Sequence, residues 1–190
     1  MKITETKLKD VKILESVIFK DHRGSFSEIY SENELKDADI QFNCVQENHS
    51  FSKEAGVMRG LHFQKYEAVQ AKLVQVLSGV VFDVIVDMRK GSPTYGEWEG
   101  FILSEYNCRQ LLIPKGYAHG FLTLTPNVNF LYKCDNYYDA KLEGGISFLS
   151  PELKIEWPIN NEKIIISEKD TKHPTFREFE NDNLFIYGEI

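Results

Sequence analysis

Positive charge is scarce in this sequence. Its 190 residues include 22 Lys and Arg against 29 Asp and Glu, which gives a formal net charge of −7. Sequence-independent binding to nucleic acid depends on Lys and Arg side chains that neutralise phosphates. The acidic balance therefore argues against nucleic acid as a partner, although a few converging cations can still hold a small anion.

Cysteines and long apolar runs are also few. Cys44, Cys108 and Cys134 lie far apart and form no CxxC pair, so neither a disulfide framework nor a zinc knuckle is predicted. Free thiols are typical of a reducing cytoplasm. No apolar stretch approaches the about 20 residues of a membrane helix, and the N-terminus lacks a signal-type run. We therefore expect a cytoplasmic protein that has no membrane partner.

Several common motifs are missing as well. The sequence has no Gly-rich phosphate loop and no GxSxG elbow, which argues against Rossmann, P-loop and α/β-hydrolase folds. It has no internal repeat, low-complexity segment or linker. Domains cluster near about 100–200 residues, so a single domain over residues 1–190 is predicted.

Aromatic and apolar segments broken by turns are abundant instead. Thirteen Phe and nine Tyr favour strands. The patterns predict strands at 42–48, 57–64, 72–77, 80–86, 98–103, 109–113, 118–124 and 128–134, with weaker candidates within 1–20, at 25–30 and at 164–166. One short helix is expected at 31–35, a polar loop at 50–56, and a mostly irregular tail after Leu149. Many short strands with turns roughly every ten residues indicate an antiparallel barrel or two-sheet sandwich.

One histidine lies in the predicted strand 57–64. His62 belongs to the segment Arg59-Gly60-Leu61-His62-Phe63-Gln64. Imidazole has an ordinary pKa of about 6.5, near neutrality, so a placed histidine can remove a proton from an acidified carbon. A lone histidine in an apolar strand is more often a hydrogen-bonded structural residue. Strict alternation also puts Arg59 and His62 on opposite faces, unless the strand bends near Gly60.

A series of motifs carries a family resemblance. In order they are Asp21-x-Arg23-Gly24, Gln46-x-Asn48, Arg59-Gly60-Leu61-His62-Phe63-Gln64, Ala71-Lys72-Leu73-Val74, Phe82-Asp83-Val84-x-Val86-Asp87, Ser92-Pro93-Thr94, Ile113-Pro114-x-Gly116-x-Ala118-His119-Gly120-Phe121, Tyr132-Lys133 and Ser167-x-Lys169-Asp170. Together, from about Val11 to Pro174, the chain resembles the dTDP-4-dehydrorhamnose 3,5-epimerase family. The resemblance implies an all-β, cupin-type jelly roll with a few short helices, a homodimer, and neither metal nor cofactor.

The chemistry of that family accounts for the catalytic residue types. Its substrate is a dTDP-linked 4-keto-6-deoxyhexose, whose ketone acidifies the hydrogens on C3 and C5. Inversion needs a base on one face, an acid on the opposite face and a donor for the enolate oxygen. The resemblance implies that His62 is the base, Tyr132 the acid and Asp170 the group that holds the imidazole. Lys72 would face the enolate oxygen, although a lysine in an apolar strand could also be an edge-strand gatekeeper.

The resemblance also implies a set of substrate-binding residues. They are Arg23, Phe26, Glu28, Gln46, Asn48, Arg59, Lys72, His119, Glu143 and Lys169. Guanidinium groups suit a diphosphate because they donate two parallel hydrogen bonds, and Phe26 could stack on thymine. Arg23 and Glu28 are implied to reach into the neighbouring subunit's site. Ordinary structural roles stay open for single residues, such as a core tyrosine at 132, a surface acid at 170 or a turn histidine at 119.

Three rival functions are weighed against this interpretation. A metal-dependent cupin would use closely spaced histidines in an HxH pattern, and His62 has no such partner. A non-catalytic sugar-binding jelly roll is compatible with the fold, since function lies in the site. An epimerase acting at C3 alone is the nearest rival. The segment Phe148-Leu149-Ser150-Pro151 departs from a Trp-Asn-Asp-like run that the family often has, which concerns substrate preference rather than the chemistry.

Overall fold

In a computed structural model of the chain, residues 1–160, 163–179 and 184–190 are described. The strands are β1 (Lys2–Glu5), β2 (Lys12–Glu15), β3 (Ile18–Asp21), β4 (Gly24–Ser27), β5 (Gln46–Ser52), β6 (Val57–Gln64), β7 (Lys72–Ser78), β8 (Val80–Asp87), β9 (Trp98–Ser104), β10 (Arg109–Ile113), β11 (Tyr117–Thr123), β12 (Val128–Cys134), β13 (Glu143–Gly145) and β14 (Ile165–Ile166). The helices are α1 (Glu32–Asp37) and α2 (Phe176–Phe179), with 3₁₀ turns at Tyr66–Ala68 and Asp170–Lys172. Within the described ranges, no helix has the length and apolar character needed to cross a bilayer.

The strands form two sheets and one separate hairpin. The first sheet has the order β1-β2-β10-β7-β12-β5, and the second has the order β13-β6-β11-β8-β9, with β14 beside β6. Strands β3 and β4 pair only with each other in the described part of the chain. The expectation of an antiparallel two-sheet sandwich is confirmed. Among the strands named above, only β14 and β6 pair in parallel, over two residues.

The core between the sheets is apolar and draws on both of them. Val74, Leu111 and Phe130 come from the first sheet, and Val81 and Ile85 come from β8 in the second. Successive side chains of a strand point to opposite faces. The β8 residues next to Val81 and Ile85 therefore point away from this core, and another part of the chain must bury them.

The C-terminal segment buries the outer face of the second sheet. Val84 and Val86 of β8 pack there against Phe148, Phe176 and Phe185. The tail was predicted to be mostly irregular with a short strand near 164–166, and β14 confirms the strand. The part of that prediction on residues 161–162 and 180–183 lies outside the described residues. An irregular segment can thus serve as a structural layer, because aromatic side chains bury apolar area without a regular backbone.

The region before β6 differs from the prediction. A strand was predicted at 42–48 and a polar loop at 50–56, but β5 runs from Gln46 to Ser52. Its polar residues pair along β12, from Gln46 opposite Cys134 to Ser52 opposite Val128. Phe42 lies before the strand and is buried in a third cluster with Leu35 of α1. Strand pairing, which sequence pattern does not reveal, decided these boundaries. The α1 prediction is confirmed, with the Ser31 side chain accepting the Glu34 N–H as its N-cap.

A bulge in β6 resolves the conflict between Arg59 and His62. His119 of β11 lies opposite His62, whereas Phe121 lies opposite Arg59. Three residue steps on β6 therefore match two steps on β11, so β6 carries one extra residue at Gly60. Gly60 has φ +119, and a Cβ atom there would lie 2.6 Å from the Cα atom of Gly120. The extra residue changes the alternation and turns Arg59 and His62 toward one cavity.

Candidate active site

A cavity of about 640 Å³ opens where the two sheets meet the segment around β14. Strand β6 contributes Arg59 and His62, and β11 contributes His119. Lys72 and Tyr132 come from β7 and β12 of the opposite sheet. The cavity is thus lined from both sheets, which brings together residues that are far apart in the sequence.

His62 is held by a buried carboxylate. Its Nε2 atom lies 2.8 Å from Oδ1 of Asp170, whose side chain is only 6% exposed. Burial raises the pKa of Asp170, but the hydrogen bond and charge of His62 lower it more, so the net pKa lies below its ordinary value. Asp170 therefore stays anionic and accepts a hydrogen bond from the Nε2–H group. The other ring nitrogen of His62 is left to accept a proton from a ligand.

Burial shifts the pKa values of Tyr132 and Lys72 in opposite directions. Burial raises the pKa of Tyr132, and Cys134 raises it further. The phenol is therefore protonated at neutral pH. Burial lowers the pKa of Lys72, although Cys134 and the carboxylates of Glu143 and Asp83 oppose the shift. Lys72 forms no ion pair within the described ranges. The cavity thus holds an oriented imidazole, a neutral phenol and a lysine that is not neutralised by direct contact.

A second histidine–aspartate pair reaches the cavity through His119, a predicted binding residue, but its pairing with Asp83 was not predicted. Nε2 of His119 lies 2.9 Å from Oδ2 of Asp83, and both residues are buried. The other oxygen, Oδ1, has no hydrogen-bond partner among the described residues. Burial raises the pKa of Asp83 while His119 lowers it, and the net shift is upward. The position of Asp83 inside the apolar strand 80–86 could have indicated a functional residue. A buried charge costs desolvation free energy unless it is paired or functional, which is the argument already applied to Lys72.

Glu143 connects the mouth of the cavity to the loop that carries Asp170. It forms an ion pair with Lys169, and its Oε2 atom accepts a 2.5 Å hydrogen bond from the Tyr138 hydroxyl. Burial raises the pKa of Glu143, but Lys169 and Tyr138 lower it further, for a net decrease. The same hydrogen bond raises the pKa of Tyr138 to about 12. Tyr138 also lines the cavity and is a further site residue that sequence reasoning did not identify.

Gln46 and Asn48 line an adjoining cavity of about 310 Å³ that shares Lys72 and Tyr132 with the main one. The Gln46 amide donates a 3.0 Å hydrogen bond to the Asn48 side chain. Arg59 donates to the Ser52 hydroxyl and to the Phe51 carbonyl, both at 3.2 Å. These two hydrogen bonds fix the orientation of the Arg59 guanidinium.

Three predicted binding residues lie elsewhere in the chain. Arg23 and Phe26 are on the β3–β4 hairpin, where the Arg23 side chain is 79% exposed and Phe26 is 70% exposed. Arg23 pairs with Asp21, and Glu28 is exposed just beyond the hairpin. The hairpin has its own shallow depression, separate from the cavity of His62. Within one chain these three residues are not brought to the site.

His173 is another residue that sequence reasoning missed. Its ring lies 5.4 Å from the ring of His62, in a perpendicular arrangement. Burial and then the charge of His62 lower the pKa of His173, so this imidazole is neutral at pH 7. Among the described residues, His62, Asp170 and His173 also form a group whose potential metal-ligand atoms lie within 4.8 Å of one another. No sequence signal marked His173, because the predicted tail has no regular pattern.

Fold and site together define a class: a β-sandwich protein whose cavity holds a histidine–aspartate pair and a protonated tyrosine. A family model described as dTDP-4-dehydrorhamnose 3,5-epimerase matches residues 5–178. The chain belongs to the dTDP-4-dehydrorhamnose 3,5-epimerase family. The prediction made from its motifs is therefore confirmed, and so is the cupin-type jelly roll, which is the fold of its structural neighbours.

Three relatives illustrate the match. The dTDP-4-dehydrorhamnose 3,5-epimerase of Salmonella typhimurium is 48% identical over 177 residues, covering 92% of this chain and 94% of that protein. A Legionella pneumophila epimerase, solved in complex with dTDP-4-keto-L-rhamnose, has a TM-score of 0.92 at 42% identity and 98% coverage of both chains. A 3′-monoepimerase from Streptomyces bikiniensis, in complex with dTDP-quinovose, has a TM-score of 0.89 at 30% identity, covering 96% of this chain and 92% of that one.

Proposed function

We propose that this chain is an isomerase that converts dTDP-4-dehydro-6-deoxy-D-glucose to dTDP-4-dehydro-L-rhamnose by epimerisation at C3 and C5. The observation that carries the proposal is the 2.8 Å contact between His62 and Asp170 in a cavity that Tyr132 and Lys72 also line. A base and an acid from opposite sheets suit a reaction in which a proton leaves one face of a sugar and returns to the other.

The proposed reaction begins at His62. The imidazole removes the proton from C3, and the C–H bonding electrons move into the C4 carbonyl to give an enolate. Lys72 stabilises the negative charge on the enolate oxygen, in a site where burial strengthens such interactions. Asp170 stabilises the imidazolium that forms, which is the role of an orienting group behind a base.

Tyr132 completes the inversion in this scheme. Its phenol donates a proton to C3 from the opposite face, which regenerates the ketone with inverted configuration. The proton on His62 and the deficit on Tyr132 are then restored by exchange with solvent. The same sequence at C5 gives the second inversion, so the overall reaction neither gains nor loses atoms.

The nucleotide end of the substrate is assigned to the residues around this centre. Arg59 suits the diphosphate, because its guanidinium is already oriented by Ser52 and the Phe51 carbonyl. The remaining proposed binding residues from within the chain are Gln46, Asn48, His119, Glu143 and Lys169. His119, which lines the same cavity as Lys72, is proposed to contact the sugar.

A homodimer is proposed to supply the remaining contacts. Arg23, Phe26 and Glu28 are exposed on or beside a hairpin that joins neither of the two large sheets in the described part of the chain. An exposed aromatic with an adjacent cation is suited to a nucleobase and a phosphate. We place these three residues in the partner's site. We also propose a single domain over residues 1–190 that works in the cytoplasm, as its three free cysteines favour.

Proton exchange into the substrate tests the proposed function directly. The dTDP-4-keto-6-deoxyglucose is incubated with the protein in heavy water and followed by NMR. Deuterium at both C3 and C5, together with signals of the L-rhamno product, is the expected result. An absence of deuterium at either carbon would contradict the assignment.

A C3-only epimerase is the second candidate function. The likeness to the 3′-monoepimerase at 30% identity favours keeping it. The same experiment separates the two, because a mono-epimerase would invert C3 alone and leave C5 with its original configuration.

A further inference from the structure

His62 and Asp170 line the cavity, and His173 lies beside them. One potential ligand atom from each residue lies within 4.8 Å of the other two. In a tetrahedral zinc site with bonds of about 2.0–2.2 Å, neighbouring ligand atoms lie roughly 3.3–3.5 Å apart. Side-chain adjustments of about an ångström would therefore bring all three ligand atoms to bonding distance of one ion.

One ring nitrogen of His173 has no hydrogen-bond partner among the described residues. This atom is the buried Nδ1. Buried polar atoms without partners are rare in native structures and call for an explanation. The ring is confined between His62 and Gly145, where a Cβ atom at position 145 would lie 2.4 Å from Cε1 of His173. The imidazole is thus kept beside the histidine–aspartate pair, although the proposed epimerisation gives it no role.

The charge and chemistry of the cluster suit a dication. Asp170 supplies a carboxylate to the cluster, and the nearby Glu143 carboxylate is paired with Lys169. Two imidazoles and one carboxylate form a donor set typical of Zn²⁺, and one coordination position would face the cavity. Only five histidines occur in the sequence, and two of them meet here.

We propose that His62, Asp170 and His173 form a binding site for Zn²⁺ or a similar divalent transition metal, and that the bound ion inhibits the protein. The ion would bind a ring nitrogen of His62, the proposed base, and the Asp170 carboxylate that orients that ring. Proton abstraction and metal binding would then exclude each other. The inhibition rests on the proposed function, whereas the metal binding does not.

Calorimetry on the substrate-free protein tests the binding. Zn²⁺ is titrated into the wild type, His173→Ala, His173→Phe and the control His49→Ala, after thermal melts show that each is folded. His49 is an exposed histidine outside the cavity that contacts Asn129. We expect one ion per chain in the wild type and in His49→Ala, and binding weaker by at least about tenfold in both His173 variants. His173→Phe keeps an aromatic ring, so its loss of binding would report a lost ligand rather than lost packing.

Two further measurements identify the ligands and the consequence. Co²⁺ in place of Zn²⁺ should give visible absorption bands without a thiolate charge-transfer band. Zn²⁺ should lower turnover of the keto sugar, EDTA should restore it, and His173→Ala should need at least about tenfold more Zn²⁺ for the same inhibition.

Absence of stoichiometric binding, unchanged affinity in the His173 variants, or a thiolate band would overturn the metal site. Zinc binding at the site without loss of turnover would overturn the inhibition. A protein with no turnover in the absence of metal would contradict the proposed function, while calorimetry would still decide whether the metal site exists.

Discussion

At the scale of single residues, the two proposed proton-transfer groups, His62 and Tyr132, lie in different environments. His62 faces a carboxylate whose pKa is lowered, which supports a proton on the nearby ring nitrogen. Tyr132 lies in surroundings that raise its pKa through burial, which keeps its proton in place at neutral pH. Groups whose environments differ in this way are suited to opposite acid–base roles.

Replacement of Tyr132 by Phe tests the proposed acid. We expect Tyr132→Phe to lose net epimerisation by at least about 100-fold, because general-acid catalysis typically contributes that much. Deuterium exchange at C3 from the side of His62 should persist, since the proposed base is intact. NMR in heavy water measures both quantities on one sample.

Tyr106→Phe is the matched control for that variant. Tyr106 is 81% exposed in the turn between β9 and β10, so removal of its hydroxyl should leave both rates unchanged. Wild-type epimerisation by Tyr132→Phe would place the acid elsewhere.

At the scale of elements, the bulge in β6 controls which side chains face the cavity. It depends on close contact between the backbones of β6 and β11, where Gly60 meets Gly120 and the His119 carbonyl. A side chain at Gly60 would need φ +119 and would also collide with that backbone. The bulge and the position of the proposed base therefore depend on one glycine.

Gly60→Ala is expected to lower the free energy of unfolding by at least about 2 kcal/mol, through backbone strain and overpacking together. Gly91→Ala is the control, because Gly91 has φ +85 but open space where a Cβ would lie. The control should lose only about 1 kcal/mol, from the left-handed backbone alone. Urea denaturation measures both values, and equal losses would show that the contact with Gly120 does not matter.

At the scale of the whole molecule, the exposed hairpin is the feature that a single chain does not explain. Phe19 and Phe26 are 63% and 70% exposed, and the hairpin packs into neither sheet. Large exposed aromatic side chains grouped on one element are typical of interaction sites. This is the structural basis for the proposed exchange of Arg23 between subunits.

Mixing of two inactive variants tests that exchange. His62→Ala disables the proposed base, and Arg23→Glu disables the proposed contribution to the partner's site. Each variant alone should be nearly inactive. After unfolding and refolding together, activity should return to about a quarter of wild type, because roughly half the dimers are mixed and each has one intact site.

The control for that experiment is a mixture of His62→Ala with Tyr132→Phe. Both changes lie in one chain's own cavity, so no mixed dimer holds an intact site and activity should stay near zero. Light scattering should confirm that the mixed samples are dimers. If the mixture of His62→Ala with Arg23→Glu then regains no activity, Arg23 acts within its own chain.

Several features could be predicted from the sequence because they are local or motif-borne. Strands such as 57–64, 80–86 and 128–134 were predicted because apolar periodicity reflects burial directly. The helix start at Ser31 followed from its capping pattern. The family, the jelly roll and the activity followed from motifs spread over nearly the whole chain.

Tertiary structure alone decided the rest. The bounds of β5 depend on pairing with β12, and the tail becomes a layer only when it meets the second sheet. Asp83 and His173 became site residues because folding placed them beside His119 and His62. Arg59 and His62 share a cavity because two backbones touch at Gly60. Periodicity is a property of neighbours along the chain, whereas these features depend on contacts between distant segments, whose distances no local pattern contains.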